Sequence, residues 1–335
     1  MERNVYIERF VPPLFPTFYF LLVQIVLRRA AQSVPLILLV SVLVFALLHA
    51  VPGGPLSIYL ENPGVRPEDI ERLSRALGLD QPVATQYLRW MGAFATGDWG
   101  YSLSDGRPVI ERMLERAPAT LELAGTSLVV ALLAALPLGI WSAIRRGGWF
   151  DRAGSVVALA GVSLPVFWFG LVLQLTIALG LGWLPSSGRS SAFDVTVTDR
   201  LRHLVLPAIV LAAVHAAAWS RYLRASMIGI LSQRFILAAE ARGVPRSRVW
   251  LRHALRNAAG PLLTVVLLDA ALLVSGAVVT ESVFAWPGLG GLFTEALSRR
   301  DYPVLMAFLM VTSIAVIALN FVADVVHRSL DPRTR

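Results

Sequence analysis

A chain of 335 residues that is 56% hydrophobic and only 16% charged is not a soluble domain, in which about a quarter of the residues are charged. It has no cysteine, which excludes disulfides, thiolate metal sites and cysteine nucleophiles. Every one of its 30 basic residues is arginine, which excludes both a P-loop, whose lysine reaches the nucleotide phosphates, and a lysine Schiff base. In so apolar a chain a net charge of +8 reports membrane topology and contact with anionic headgroups rather than nucleic acid.

The first apolar run, Phe18–Leu27, is too short to cross a bilayer alone and ends at Arg28-Arg29, so an interfacial helix feeding the first span is expected. A signal peptide fits poorly. Glu2 and Glu8 stand in its basic region, prolines follow, and no small-residue cleavage site appears. Six spanning helices are predicted: Ser33–Val51, Ala119–Ile144, Ala153–Leu181, Val205–Met227, Ala259–Phe284 and Val304–Val326. Each has roughly the 20 residues needed to cross a hydrocarbon core. The expected organisation is an N-terminal segment 1–32, a first span 33–51, an extracytoplasmic helical domain 52–118, a core of five spans over 119–327, and a tail 328–335.

Within 52–118, Pro67 opens a predicted helix with Glu68 and Asp69 in its first turn, Ile70, Leu73 and Leu77 on one stripe, and Gly78 as its cap. A second amphipathic piece follows Pro82 and offers Tyr87, Leu88, Trp90, Met91 and Phe94 for packing. The arginines set the orientation. RRGGWFDR after span two, the segment from Arg221 to Arg256, and the C-terminus with Arg328, Arg333 and Arg335 all fall on one side. By the positive-inside bias that side is the cytoplasm, with both termini.

Between spans four and five lies FILAAEARGVPRSRVWLRHALRNAAGPLL, Phe235 to Leu263, which is polar where its flanks are apolar. Phe235–Arg242 reads as a short helix rich in alanine. Gly243 suits a left-handed C-cap, and Val244-Pro245 redirects the chain. Ser247–Ala258 follows as an amphipathic helix. Arg248, Arg252 and Arg256 share an arc of about 80° at 100° per residue, Trp250, Leu251, Ala254, Leu255 and Ala258 lie opposite, and Val249 alone breaks the pattern. Three readings fit: a helix held on anionic headgroups, a set of topology determinants, or a docking element whose small residues permit close approach by a cytoplasmic partner.

Ala239-Glu240-Ala241-Arg242-Gly243, then Arg252-His253-Ala254-Leu255-Arg256-Asn257 and Pro261, resemble the cytoplasmic EAA loop of ABC importer permeases in the variant of the dipeptide/oligopeptide (Dpp/Opp, peptide/nickel) family, B-type subunit. The similarity continues in register through VPGGP, LGLDQP, GDWGYSL, RAPATLEL, GVSLPVFWFG, LGWLPSSG, ESVFAWPGLGGL, RDYPV and the terminal DPR. It implies an all-α polytopic membrane protein of the type I importer permease fold. Such a subunit translocates peptides handed over by a solute-binding protein and is not itself an enzyme. Relatives importing nickel chelates, oligosaccharides or glutathione share the pattern. The implied partners are a homologous second permease subunit, two P-loop ATPases that bind the ATP and magnesium, an extracytoplasmic binding protein and membrane lipid, in a bacterial inner membrane.

The resemblance makes 228–258 the coupling loop, with Phe235, Ala238, Ala239, Glu240, Ala241, Arg242 and Gly243 as its ATPase-facing surface. One departure stands out: the glutamate that the broader pattern places six residues before the glycine is Leu237 here.

Two polar residues remain inside spans. Asp269 sits mid-span, where an ionised carboxylate is costly unless paired or wet. It either lines a pathway, pairs with His215 or an arginine, or bonds to a partner subunit. His215 is the only histidine well inside a span. Glu122 and Glu281 stand near span ends, where topology accounts for them. No H-E-x-x-H or G-x-S-x-G occurs, which leaves no zinc site or hydrolase elbow. An ion-coupled transporter acting alone would carry repeats around midplane ions, and none is evident.

Overall fold

The computed structural model describes residues 14–50, 56, 64, 66–76, 78–191 and 196–330. VPGGP (51–55), most of the segment to 65, and the DPR tail with Arg333 and Arg335 lie outside the described residues, as do the side chains of Leu73 and Leu77. The elements are helices: α1 Leu14–His49, α2 Pro67–Ala76, α3 Val83–Ala95, α4 Val109–Ile144, α5 Trp149–Ser163, α6 Val166–Leu173, α7 Val197–Leu231, α8 Arg234–Ala241, α9 Leu255–Val283, α10 Leu289–Ser298 and α11 Tyr302–Leu330. Among the described residues five helices are long and apolar enough to cross a membrane, six if the bent pair α5–α6 counts as one span.

The first apolar run and the first span form one helix, α1, which passes Arg28-Arg29 and Pro35 without a break. Arg29 reaches across to Asp324 of α11 at 2.6 Å. The third span is not the single helix expected. α5 and α6 meet at 105°, because Leu164 is extended (φ −77°, ψ 129°) ahead of Pro165. Proline bars its predecessor from the helical region and offers no N–H to continue the ladder. The last turns after α6, Gln174–Gly180, are π-helical.

The bundle core is the seam between α4 and α7. Ser127, Ala131, Ala135, Gly139 and Ala143 recur every four residues along α4, and all are buried. Such a stripe lets two backbones approach closely where apolar lipid provides no hydrophobic drive between helices. At Gly139 a Cβ would stand 2.9 Å from both the Leu223 Cβ and the Ser220 carbonyl. Trp219, Leu223 and Met227 of α7 fill the seam with no exposure at all.

At 36 residues, or about 54 Å at 1.5 Å per residue, α4 outruns a hydrocarbon core of about 30 Å. Its first turns therefore stand clear of the bilayer at the end away from the arginine-rich loops. There Arg112 is buried and directs its guanidinium at Asp301, 3.7 Å away, with Asp105 and Glu295 alongside. Asp301, wholly buried, accepts from Ser102 Oγ and from the Leu103 and Ser104 amides. The same end carries an aromatic chain from Phe45 through Tyr87, Trp90 and Phe94 to Trp99. It seats α3 on α1, reinforced by Ser41 Oγ against Tyr87 Oη at 2.8 Å.

Candidate functional site

The segment after α7 folds back on the bundle's arginine-rich end. Ile236 of α8 is buried to 1% in the core cluster that also holds Trp219 and Met227, and Ala239 packs against that cluster. The opposite side of α8 faces outward: Phe235, Ala238, Glu240, Ala241 and Arg242 are exposed. The helix thus stands on two inward residues, one of them the predicted surface residue Ala239, and presents the rest.

Gly243 follows at φ +77°, the left-handed conformation that costs most residues a Cβ clash. Its amide bonds Glu240 O at 2.9 Å, and the Val244 amide bonds Ala239 O at 3.2 Å, closing the last turn of α8. A Cβ at Gly243 would meet nothing within 4 Å. The glycine is there for backbone conformation, not for room against the protein's own atoms.

The helix leading into α9 differs from the pattern expected for it. Val249, the residue that broke the amphipathic separation, is completely buried together with Ala254, whereas Leu251 is 57% exposed. Val249–Ala254 is π-helical, so residues five apart share a face. That rotation brings Val249 and Ala254 inward and turns Leu251 out. Arg248, Arg252 and Arg256 remain exposed.

Arg224, near the arginine-rich end of α7, grips Asp151 at the start of α5, Nε to Oδ1 at 2.5 Å and Nη2 to Oδ2 at 2.8 Å. The Gly147 amide adds a bond of 2.9 Å. The guanidinium, with help from that amide, holds the Asp151 carboxyl below its ordinary value although burial opposes this.

In mid-bundle, Asp269 of α9 finds no cation among the described residues. Its partner is Trp219 of α7, whose Nε1–H donates to Oδ2 at 2.7 Å. The pairing with His215 or an arginine is therefore replaced by an indole. His215 stands T-shaped against the same indole, ring centroids 5.6 Å apart, and its Nδ1 lies 3.0 Å from Leu211 O. Sequence reasoning named Asp269 and His215 but missed Trp219. The available signal was spacing, since His215 and Trp219 are four apart on one helix face.

Glu281 stands near the end of α9, as expected, but topology alone does not account for it. It is wholly buried, accepts from Thr120 Oγ1 at 2.6 Å and from the Gly291 amide at 3.0 Å, and lies where a Cβ on Gly288 would collide with it. Thr120 Oγ1 in turn takes the Leu289 amide, and Trp286 Nε1 donates to Ala119 O. ESVFAWPGLGG is thus a lock joining α9, α10 and α4. Glu122 pairs with Arg189.

The comparisons with known proteins place this multi-spanning helical bundle, with its presented helix at one end and its polar cluster midway, among membrane transport permeases. A family model described as "Binding-protein-dependent transport system inner membrane component" matches residues 135–335, and the corresponding N-terminal model matches residues 22–124. The chain belongs to this family. It is 37% identical over 310 residues to the oligopeptide transport system permease protein AppB of Bacillus subtilis, covering 92% of this chain and 98% of that one. It is 35% identical over 336 residues to the dipeptide transport system permease protein DppB of Escherichia coli K12, covering 94% and 99%. A glutathione transport system permease protein, GsiC of Salmonella paratyphi A, is 36% identical over 310 residues, covering 92% and 98%. In fold, the chain resembles inward-facing structures of the MetNI methionine ABC transporter, with TM-scores of 0.53 and 0.55 at 17% identity, covering 67% of this chain and 98% of that one. The fold is that of an ABC importer permease.

Proposed function

We propose that this chain is the peptide-translocating permease subunit of an ATP-driven importer in a bacterial inner membrane. α8 and its Gly243 corner form the cytoplasmic docking surface for an ATPase. The observation that carries this reading is the build of α8. Its outward face is exposed while Ile236 and Ala239 root it in the cluster that contains Trp219 and Met227. Force applied at Phe235, Ala238, Glu240, Ala241 and Arg242 is therefore delivered to the packed seam of the bundle. The relatives named for oligopeptides and dipeptides, similar over more than nine-tenths of the chain, support a peptide cargo.

In this reading both termini are cytoplasmic. Two P-loop ATPases bind ATP and magnesium, since this chain has no lysine with which to build a P-loop. A homologous second permease completes the pathway, and an extracytoplasmic binding protein meets the α2–α3 side. Closure of the ATPase dimer draws the docking helices together and turns the bundle outward; hydrolysis returns it.

The test is reconstitution in liposomes with candidate ATPases, second permease and binding protein. Peptide accumulation that requires ATP and all components is expected. Gradient-driven uptake by this chain alone would overturn the assignment.

A further inference from the structure

We propose that Asp269, held by Trp219 and flanked by His215, is a cargo-binding point midway through the membrane, selective for an ammonium group. The proposal rests on the peptide-importer reading. Asp269 lies ten residues into its predicted span and His215 ten residues into its own, so both are at middle depth. Trp219 is fully buried, and its single N–H, a donor only, fixes Oδ2 of Asp269 at 2.7 Å. The carboxylate is thus oriented by a rigid neighbour rather than free to rotate.

Every other feature of the cluster accepts. Asp269 is half-buried and has a second oxygen. The His215 Nδ1 lies 3.0 Å from Leu211 O, a carbonyl that can only accept, so the tautomer that makes this bond carries its lone pair on Nε2. A site whose remaining capacity is all acceptor is complementary to a ligand that brings only donors and positive charge. A peptide's ammonium has three such N–H groups. A bare metal ion would need more ligands, and no group of three or more histidine or acidic side chains occurs among the described residues.

An intramembrane carboxylate without a protein cation is costly in hydrocarbon and is tolerated where it lines a wet path. Asp269 itself keeps part of its surface uncovered by the described residues. Cargo reaching that surface would neutralise the acid for the moment of transit.

The test measures equilibrium binding of an alanyl dipeptide and of its N-acetylated form to the solubilised complex of permeases and ATPases, without binding protein. The binding protein's own selectivity then does not enter. The free-amine peptide is expected to bind about tenfold more tightly than the acetylated one. Asp269→Asn is expected to abolish the difference and Asp269→Glu to keep it. Equal affinities in the unmodified complex, or a preference that survives Asp269→Asn, overturns the proposal. Should Asp269→Asn fail to assemble, Trp219→Phe keeps an aromatic ring and the carboxylate but removes the N–H. A several-fold weaker preference supports the site there, and an unchanged one counts against it. ATP-dependent uptake by the same complex with binding protein, measured in parallel, separates the two readings. Uptake without amine preference sinks this site alone, whereas no uptake sinks the importer reading and the site with it.

Discussion

Arg224 and Asp151, seventy-three positions apart, form a two-pronged ion pair that ties α7 to the first turn of α5. Arg224 stands ten residues before Arg234, where α8 begins, so the pair braces the arginine-rich end of the bundle from which the proposed docking helix departs. Asp151 is almost fully buried, while the Arg224 side chain is 30% exposed.

Breaking this pair leaves a charged group without its partner, a loss of roughly 1–3 kcal/mol. Asp151→Asn is therefore expected to lower the thermal midpoint of the solubilised protein. Because the folded carboxyl sits below its ordinary value of 3.8, the stabilisation is complete above that value and is lost as the pH falls through the lowered one. Thermal melts between neutral pH and pH 3 should show a steeper acid decline for the unmodified protein than for Asp151→Asn. Parallel curves would contradict it.

Helix α8 separates seating from docking by residue. Ile236, buried to 1%, is a seat; Ile236→Ala should cost about 2–5 kcal/mol locally and loosen α8, seen as faster amide exchange across Arg234–Ala241. Phe235, 43% exposed, should leave exchange unchanged when replaced by alanine yet weaken co-purification of the ATPase. An ATPase that binds the Phe235→Ala variant normally would remove Phe235 from the docking surface.

At Gly243 the constraint is conformational. With φ at +77° and open space where a Cβ would stand, alanine should cost about 1–2 kcal/mol and a β-branched residue more. Asparagine, which visits this region readily, should cost least. Uptake is expected to fall in the order Gly, Asn, Ala, Val while the protein still reaches the membrane. Full transport by Gly243→Val would show that the corner is not required.

The Glu281 lock responds to chemistry and to volume. Glu281→Gln keeps one carbonyl-type acceptor for Thr120 or for the Gly291 amide, whereas Glu281→Ala leaves Thr120 Oγ1 and that amide without their acceptor and opens a cavity. The alanine variant should be less stable by several kcal/mol, in the range of a buried group left unpaired plus a void. Gly290→Ala should fare as badly, because its Cβ would strike the backbone of Val278. Yields of folded protein and thermal midpoints check both.

The lengths of the apolar runs, the placement of the arginines, the helix stop at Gly243 and the absence of a nucleotide-binding lysine were determined by the sequence alone. Each is local. A run either reaches across a hydrocarbon core or does not, a charge prefers one side of a bilayer, and a left-handed cap needs a residue without a Cβ.

The tertiary structure decided the rest. Asp269 gained Trp219 from fifty positions away and Glu281 gained Thr120 from 161 positions away, pairings that hydropathy does not encode. Val249 turned inward because a π-helical stretch shifted the phase of its helix, and an ideal wheel of 3.6 residues per turn cannot show that shift. The bend at Leu164-Pro165 was present as a proline in an apolar run. Its 105° angle is visible only in the folded chain, where α6 also comes close to α9, with Val283 and Phe284 next to Gly170. Burial makes an unpaired polar group expensive, and only the folded chain shows which neighbour satisfies it.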